Sequence, residues 1–256
     1  MSGNRFFIAP DVFANTEIIF PREISRQIHS VLRLKAGDLV TVLDNEGHCR
    51  QVEIREVDAR QVIGSAGEIF PAPGEPGVEL TLCPALTQRE KFEWILQKGT
   101  ELGVRHFVPI ITGRSLIQET GGWNEKIIRW QKIVREAAEQ CGRGLVPEIS
   151  TPLKLADYLN RDERPRGYIL HEREQHAGLA DSVMRHLSTG NRQIALLVGP
   201  EGGFTEDEAG QANSAGLVSV SLGARILRME TAAMAACVIC MVVAGELGSF
   251  SVAVRS

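Results

Sequence analysis

The hydrophobic and polar positions follow different patterns on the two sides of a proline- and glycine-rich segment. That segment, residues 70–77, contains three prolines and two glycines, a composition typical of linkers and turns. Before it, short runs rich in Val and Ile are separated by turn residues such as Asp-Asn-Glu-Gly at 44–47, which predicts short β-strands. A helical pattern at about 21–34 interrupts these strands. We therefore place a small β-barrel at 1–72 and a second domain at 78–256.

After the linker, apolar runs alternate with helical patterns, which indicates an α/β domain. Strands are predicted at about 78–83, 104–111, 168–171, 194–199 and 217–222, and helices at about 88–102, 124–141, 206–215 and 230–247. Continuous apolar runs are typical of parallel strands covered on both faces, and ligands of such sheets bind beyond the carboxyl ends of the strands. Because knots are essentially absent under general connection rules, the pattern alone predicts an ordinary doubly wound sheet.

Composition narrows the classes of protein to consider. The chain has 256 residues, 43% of them hydrophobic, which is enough for two cores. The five cysteines are odd in number and scattered, which favours a reducing cytoplasm over a disulfide framework. We expect no secretory signal, and the apolar stretch 232–244 is too short to span a bilayer. A net charge of -4 gives no general support for nucleic-acid binding, so any RNA site must be a local basic patch.

The loop after the strand at 194–199 has the composition of a ligand-binding turn. It contains Gly-Pro-Glu-Gly-Gly-Phe at 199–204, followed by Thr205 and, three residues later, Glu208, the spacing of a helix capping box. Glycines let backbone amides approach a ligand, and the helix start adds unpaired donors. A plain strand-to-helix turn is the alternative. The loop matches neither the dinucleotide nor the P-loop motif.

The loop after the strand at 217–222 places Arg225, Arg228 and Glu230 at the start of a very apolar helix, with Thr231 as a candidate cap. Charges against so apolar a helix need a specific partner or a ligand. Ion pairing among these residues is the alternative.

No metal site is predicted. His171 and His176 are five residues apart, so one helix face does not carry both, in contrast to the H-E-x-x-H motif. Cys237 and Cys240 have no second cysteine pair and lie inside the apolar helix, where cysteine behaves as a small hydrophobic residue.

Both loops closely resemble the hallmark motifs of the RsmE family, the ribosomal small-subunit uridine-N3 methyltransferases of the SPOUT superfamily. The second motif is Leu-Gly-Ala-Arg-Ile-Leu-Arg-Met-Glu-Thr-Ala at 222–232, in which Met229 stands where the family form has threonine. The resemblance covers nearly the whole chain. Its other motifs are Arg5-Phe-Phe7, His29-x-x-Leu-Arg33, Gln-Lys-Gly-Thr-Glu-Leu-Gly-Val at 97–104, Arg129-Trp130 and Glu-Ala-Ala-Glu-Gln-Cys-Gly-Arg at 136–143.

The resemblance implies a fold, a cofactor and partners. The expected fold is a PUA-like β-barrel followed by a SPOUT-type α/β domain with a C-terminal trefoil knot. The expected cofactor is a bent S-adenosylmethionine bound in the knot, and the expected partners are 16S ribosomal RNA in the small ribosomal subunit and a second copy of the chain. The cofactor residues implied by resemblance and loop chemistry together are Leu170, His171, Gly199, Glu201, Gly202, Gly203, Leu222, Gly223, Ile226, Leu227 and Arg228.

Methylation of uracil N3 requires removal of a proton and stabilisation of negative charge. Arg228 is the candidate for stabilising an anionic carbonyl oxygen, because a guanidinium keeps its proton and does not serve as a base. Glu230 is the candidate base. Glu201 is a second candidate, although hydrogen bonds from backbone amides at a helix start would lower its pKa.

Candidate RNA contacts are basic residues of both domains. We expect Arg22, Arg26 and Arg33 to form a stripe on one helix face, and Arg114 and Arg143 to reach outward beside turn glycines. The full set is Arg5, Arg22, Arg26, Arg33, Arg114 and Arg143, with Lys91, Lys98 and Arg105 as weaker candidates. A SPOUT enzyme acting on transfer RNA or a ribose hydroxyl, and a non-catalytic RNA-binding factor, are the alternatives.

Overall fold

The computed structural model describes residues 3–58, 60–119, 121–162 and 164–248. The chain divides into two compact units. The first contains residues 1–75 and 135–146, and the second contains residues 76–134 and 147–256. The predicted domains, 1–72 and 78–256, differ from these units mainly at 135–146, which sequence order assigned to the second domain. The last eight residues of the predicted second domain lie outside the described ranges.

The first unit is built on a five-stranded sheet. Its elements are β1 (Arg5–Phe7), α1 (Pro10–Phe13), β2 (Glu17–Ile19), α2 (Arg22–Arg26), β3 (Leu39–Leu43), β4 (His48–Val57) and β5 (Val62–Pro71). The strand order is β1-β3-β4-β5-β2, with β1 parallel to β3 and the other pairs antiparallel. Apolar side chains such as Phe6, Ile18, Val42 and Ile54 form its core. The strand-rich prediction for this region is thus confirmed, while barrel closure and similarity to the PUA fold stay predictions.

The turn at 44–47 joins β3 to β4 as its composition predicted. Asn45 and Gly47 have φ values of 62° and 94°, which these residue types adopt readily. The Asp44 carboxylate accepts hydrogen bonds from the backbone N–H groups of Glu46 at 2.7 Å and His48 at 3.0 Å. The side chain therefore holds the turn from inside.

The helix predicted at 21–34 is present but is not a regular α-helix. After α2 the chain continues as a π-helical segment, Gln27–Leu32, and ends at Arg33, whose φ is 54°. A π-turn is wider than an α-turn, so the direction of each side chain changes along the segment. Arg22 and Arg26 keep the α-helical spacing that the predicted stripe assumed, whereas Arg33 follows the π-helical segment and does not.

Residues 135–146 pack into the first unit through polar and apolar contacts. The backbone N–H of Phe7 donates to the Glu139 carboxylate at 3.0 Å, and Ala138 packs with Phe7 and Leu43. Burial raises the pKa of Glu139. These contacts connect residues more than 90 positions apart, so local pattern carried no sign of them.

The second unit has a six-stranded, fully parallel sheet in the order β13-β11-β12-β6-β7-β9. The strands of this unit are β6 (Glu79–Pro84), β7 (Val104–Phe107), β8 (Ile110–Ile111), β9 (Glu148–Ile149), β10 (Leu153–Lys154), β11 (Gly167–Leu170), β12 (Gln193–Val198) and β13 (Val218–Val220). Strands β8 and β10 lie outside the six-stranded sheet and pair with each other. Residues 194–198 of β12 are almost completely buried. The parallel α/β sheet predicted from continuous apolar runs is confirmed, and the knot stays a prediction.

The helices after residue 88 include the four that the sequence predicted, close to their expected positions. They are α3 (Arg89–Glu101), α4 (Asn124–Cys141), α5 (Leu155–Leu159), α6 (Leu179–Leu187), α7 (Glu206–Ser214) and α8 (Met229–Val243). Helices α5 and α6 were not predicted. No helix among the described residues is long and apolar enough to cross a membrane.

Helix α8 differs from its prediction at its N-terminus. It begins at Met229 with Arg228 as its N-cap, so Thr231 is not the cap. Its buried face includes Cys237 and Cys240, which confirms that these cysteines pack in the core. The opposite face of the helix is also apolar but partly accessible, and Val242 is 50% exposed.

Candidate active site

A cavity of about 710 Å³ lies at the carboxyl ends of three neighbouring strands of the second unit. Leu170 ends β11, Val198 ends β12 and Val220 ends β13, and all three line the cavity. The remaining walls come from the loops that follow these strands. A parallel sheet places these loops together because all its strands end at the same edge.

The first loop supplies Gly199, Glu201 and Gly203 to the wall. A Cβ at Gly199 would lie 3.1 Å from the backbone nitrogen of Phe204 and 3.2 Å from the carbonyl carbon of Gly203, and Gly203 has a φ of 67°. A side chain would therefore be crowded at Gly199 and strained by the backbone conformation at Gly203. The loop is so tightly folded that its backbone forms the cavity wall directly.

Helix α7 begins after this loop with the predicted capping box. Thr205 Oγ1 accepts from the Glu208 backbone N–H at 3.1 Å, and Glu208 Oε2 accepts from the Thr205 backbone N–H at 2.8 Å. Glu208 Oε1 also accepts from the Gly113 backbone N–H at 2.7 Å. The capping box thus ends the glycine loop at a well-defined position.

Gly202 is not among the residues that line the cavity, and its place in the cofactor wall stays a prediction. Its carbonyl oxygen accepts a hydrogen bond from Arg114 Nη1 at 2.6 Å, and a Cβ at Gly202 would lie 3.3 Å from Arg114 Cδ. Its φ is not positive either. The middle glycine of the motif therefore faces Arg114.

Glu201 is held by two donors. Lys91 Nζ and Thr87 Oγ1 donate to Glu201 Oε1 at 2.8 Å and 2.6 Å. Burial by itself would raise the pKa of Glu201, but the hydrogen bonds from Lys91 and Thr87 outweigh it and keep the pKa below its usual range. The hydrogen bond to Glu201 in turn raises the pKa of Lys91. The charged carboxylate of Glu201 is therefore already hydrogen-bonded, which makes it a weak base.

Glu230 has a contrasting environment. It lies in the first turn of α8 and lines the cavity, and its Oε2 atom is buried without a hydrogen-bond partner among the described residues. A buried acceptor without a donor is costly. The Glu230 carboxylate is thus free to accept a proton or a hydrogen bond from a bound molecule.

The second loop, 221–228, forms the open side of the cavity. Gly223 has a φ of 107°, the side chain of Ile226 is 85% exposed, and the exposed Arg228 lies where the loop meets α8. The Arg228 guanidinium is therefore accessible to a molecule entering the cavity.

His171 lines the cavity but also has a structural role. Its backbone N–H donates to the Val220 carbonyl at 3.1 Å, and its Nε2 lies 3.9 Å from a carboxylate oxygen of Glu206.

The comparisons with known proteins agree with this geometry. Residues 74–241 match the model of a family described as an RNA methyltransferase domain. A protein of Synechocystis and one of Bacillus subtilis, both named ribosomal RNA small subunit methyltransferase E, are each 31% identical to the chain. The matches cover 89% and 80% of this chain and 74% and 82% of those proteins.

The chain belongs to the ribosomal RNA small subunit methyltransferase E family.

A crystal structure of a family member from Neisseria gonorrhoeae, bound to S-adenosylmethionine, matches the present fold with a TM-score of 0.85. The two sequences are 28% identical, and the match covers 94% of this chain and 98% of that one. The family resemblance inferred from the motifs is therefore confirmed.

Most predicted cofactor residues of this family member surround one cavity. The lining includes Leu170, His171, Gly199, Glu201, Gly203, Leu222, Gly223, Ile226, Leu227 and Arg228, together with Glu230. Lys91 also lines it, although the sequence placed Lys91 only among the weaker RNA candidates. The sequence showed only that Lys91 is charged and lies in the first turn of a predicted helix. Neither property indicated that Lys91 contacts Glu201.

The candidate RNA residues have different environments. Arg143 is only 2% exposed and its guanidinium donates to Glu75 at 2.9 Å and 3.2 Å, so the prediction that it reaches outward is wrong. Arg114 is exposed, and Arg5 Nη1 donates to the Gln140 carbonyl at 3.4 Å.

Among the described residues no group of three or more His, Cys, Asp or Glu is placed to hold a metal.

Proposed function

We propose that the chain transfers a methyl group from S-adenosylmethionine to N3 of a specific uridine in 16S ribosomal RNA, within the assembled small subunit. Family membership and the cofactor bound by the Neisseria relative support the class of reaction. The observation that carries the chemistry is the buried, unpartnered Glu230 Oε2 in the same cavity as an accessible Arg228.

The cavity has the properties that an S-adenosylmethionine site needs. Its volume of about 710 Å³ falls in the range of small-molecule sites, and its glycine loops present backbone groups directly. We assign the cofactor wall to Leu170, His171, Gly199, Glu201, Gly203, Leu222, Gly223, Ile226, Leu227 and Arg228. When bound, S-adenosylmethionine supplies an activated methyl group, so the protein needs mainly to orient the acceptor.

Three side chains divide the remaining work. Glu230 accepts the N3 proton, because no donor among the described residues bonds to its Oε2. Arg228 stabilises the negative charge that develops on a uracil carbonyl oxygen. Lys91 is a positioning residue, because its bond to Glu201 holds the first loop in place.

The location and partners follow from the same proposal. The protein acts in the cytoplasm on small ribosomal subunits, without a metal, and as a homodimer. RNA contacts are assigned to Arg5, Arg22, Arg26, Arg33 and Arg114. The partly exposed apolar face of α8 supports the dimer, because a second copy of the same surface related by a two-fold axis would cover it.

Transfer of a tritiated methyl group tests the substrate. Small ribosomal subunits lacking the modification should accept label at a uridine, whereas transfer RNA should not, and the labelled nucleoside should be 3-methyluridine. Label in transfer RNA or on a ribose hydroxyl would contradict the assigned acceptor. Absence of S-adenosylmethionine binding in calorimetry would contradict the enzymatic function and favour a non-catalytic RNA-binding factor.

A further inference from the structure

A second concave surface lies at the opposite ends of two strands that line the cofactor cavity. It is a groove of about 550 Å³ at the amino ends of β11 and β13, next to α6. Its basic members are Arg164, Arg166, Arg185 and His186. The other lining residues are Gly167, Tyr168, Ser182, Thr189, Ala215, Gly216 and Val218. The described lining thus contains no acidic side chain.

Among the described residues, no carboxylate forms an ion pair with an arginine of this basic groove. Arg185 Nη2 donates to the Ser182 hydroxyl at 3.3 Å, and the Arg164 guanidinium donates to the backbone carbonyls of Leu159 and Ala215. Within the described ranges, neither of them nor Arg166 forms an ion pair. Other arginines of the chain do, including Arg55, Arg89, Arg129, Arg143, Arg173 and Arg192.

An unneutralised group of arginines in a concave surface attracts anions. A concave surface with charge of one sign concentrates the electrostatic potential, and arginine bonds phosphate oxygens with particular strength. The chain as a whole carries a net charge of -4, so this groove stands out against an acidic background.

We propose that the basic groove is a second RNA-binding surface, which contacts the phosphodiester backbone of the substrate RNA away from the methylated base. The inference rests on the proposed function only for the identity of the RNA. Gly167 lines the groove and Leu170 lines the cavity on the same strand, which separates them by about 10 Å of backbone at about 3.3 Å per residue. One folded RNA therefore reaches both surfaces.

The form of the groove favours a polyanion over a small anion. Arg166 and Arg185 are exposed, and Arg164 already uses donors on backbone carbonyls. A tight small-molecule site needs an enclosed pocket with convergent donors, which these side chains do not form. A polyanion needs only charges along its path, because release of its counterions provides much of the binding free energy.

The salt dependence of RNA binding tests the proposal. We would measure the affinity of Arg166→Gln, Arg185→Gln and the double variant for a labelled RNA hairpin and for small ribosomal subunits at several salt concentrations. Each lost phosphate contact lowers the slope of log affinity against log salt by about 0.7 to 0.9. The double variant should lose about 1.4 to 1.8, and Arg166→Lys should keep the wild-type slope because it keeps the charge.

Arg55→Gln is the matched control. Arg55 is exposed and paired with Glu53 at 3.1 Å, so its loss changes the net charge equally without removing a free cation. Arg55→Gln should leave the slope unchanged.

The groove variants should raise KM for small subunits, with kcat and S-adenosylmethionine affinity unchanged. Thermal unfolding checks their folding. Arg164 is left intact because its backbone bonds give it a structural role.

Three results would overturn the proposal. The first is a wild-type slope in the double variant, and the second is an equal loss of slope in Arg55→Gln. The third is tight binding of inorganic phosphate to the wild type that the double variant loses and RNA does not displace, which would make the groove a small-anion site. The salt slopes need no catalysis, so failure of the proposed methyl transfer would be recognised separately.

Discussion

At the scale of single residues, two carboxylates in one cavity have opposite environments. Glu201 receives hydrogen bonds from Lys91 and Thr87, whereas Glu230 Oε2 has no donor among the residues described. Hydrogen bonds to a carboxylate stabilise its charged form and weaken it as a base. The sequence left both as candidate bases, and only the contacts distinguish them.

Replacing Arg228 with alanine should lower kcat by about 10²- to 10³-fold, the usual loss when one donor to a developing oxyanion is removed. The fold should be retained, because the side chain is exposed and only its backbone caps α8. Single-turnover methyl transfer and thermal unfolding measure the two effects. Near-normal turnover would show that Arg228 does not stabilise the anion.

Replacing Thr87 with valine keeps the shape of a buried side chain and removes one donor to Glu201. We expect a loss of about 1 to 3 kcal/mol in the free energy of unfolding at neutral pH, and weaker S-adenosylmethionine binding. Because the folded pKa of Glu201 is depressed, its contribution is complete above the usual carboxyl pKa and disappears as the pH falls through the depressed value. The difference from wild type should shrink over that acidic window in unfolding experiments, and a pH-independent difference would contradict this explanation.

At the scale of elements, the loops that follow parallel strands create the site. Residues 194–198 of β12 are almost completely buried, and the capping box starts α7. The glycines between these two elements permit the tight loop that joins them. These features are local, which is why the sequence predicted them. Short or irregular elements were missed for the same reason, since two-residue strands such as β9 and β10 carry no period.

A matched pair of glycine variants tests the geometry of the first loop. Gly199→Ala should weaken S-adenosylmethionine binding, because its Cβ would meet backbone atoms of the loop at 3.1 to 3.2 Å. Gly202→Ala should bind nearly as the wild type does, because its Cβ would meet only the flexible side chain of Arg114. Calorimetry measures both affinities. Equal losses would show that the cavity wall includes Gly202 after all.

At the scale of the whole molecule, the partly exposed apolar face of α8 is the main feature that one chain leaves open. Its buried face includes Ala233, Ala236 and Cys240, while Val242 on the other side is half exposed. Apolar helix surface of this kind is costly in water, which is the reason to expect a partner that covers it.

We expect a homodimer in solution. Light scattering at micromolar concentration should give about twice the chain mass of 28.1 kDa, and Val242→Glu should weaken the dimer by placing a charge on the apolar face. Lys154→Glu, an exposed change on β10, serves as the control. An active monomer of the wild-type chain would contradict the proposed dimer.

The sequence by itself determined the features that depend on neighbouring residues. These are the strand-rich first part, the parallel sheet, the main helices, the two glycine loops and the family. Hydrophobic period, turn chemistry and short motifs are local properties, so they are legible without coordinates.

Only the tertiary structure decided which distant residues meet. Residues 135–146 belong to the first unit, where the buried Arg143 pairs with Glu75. In the second unit, Arg114 bonds to the Gly202 carbonyl and Lys91 bonds to Glu201. The tertiary structure also brought together the arginines of the basic groove, Arg164 and Arg166 from the loop before β11 and Arg185 from α6. The physical reason is that burial and ion pairing depend on separation in space, which spacing along the chain does not determine.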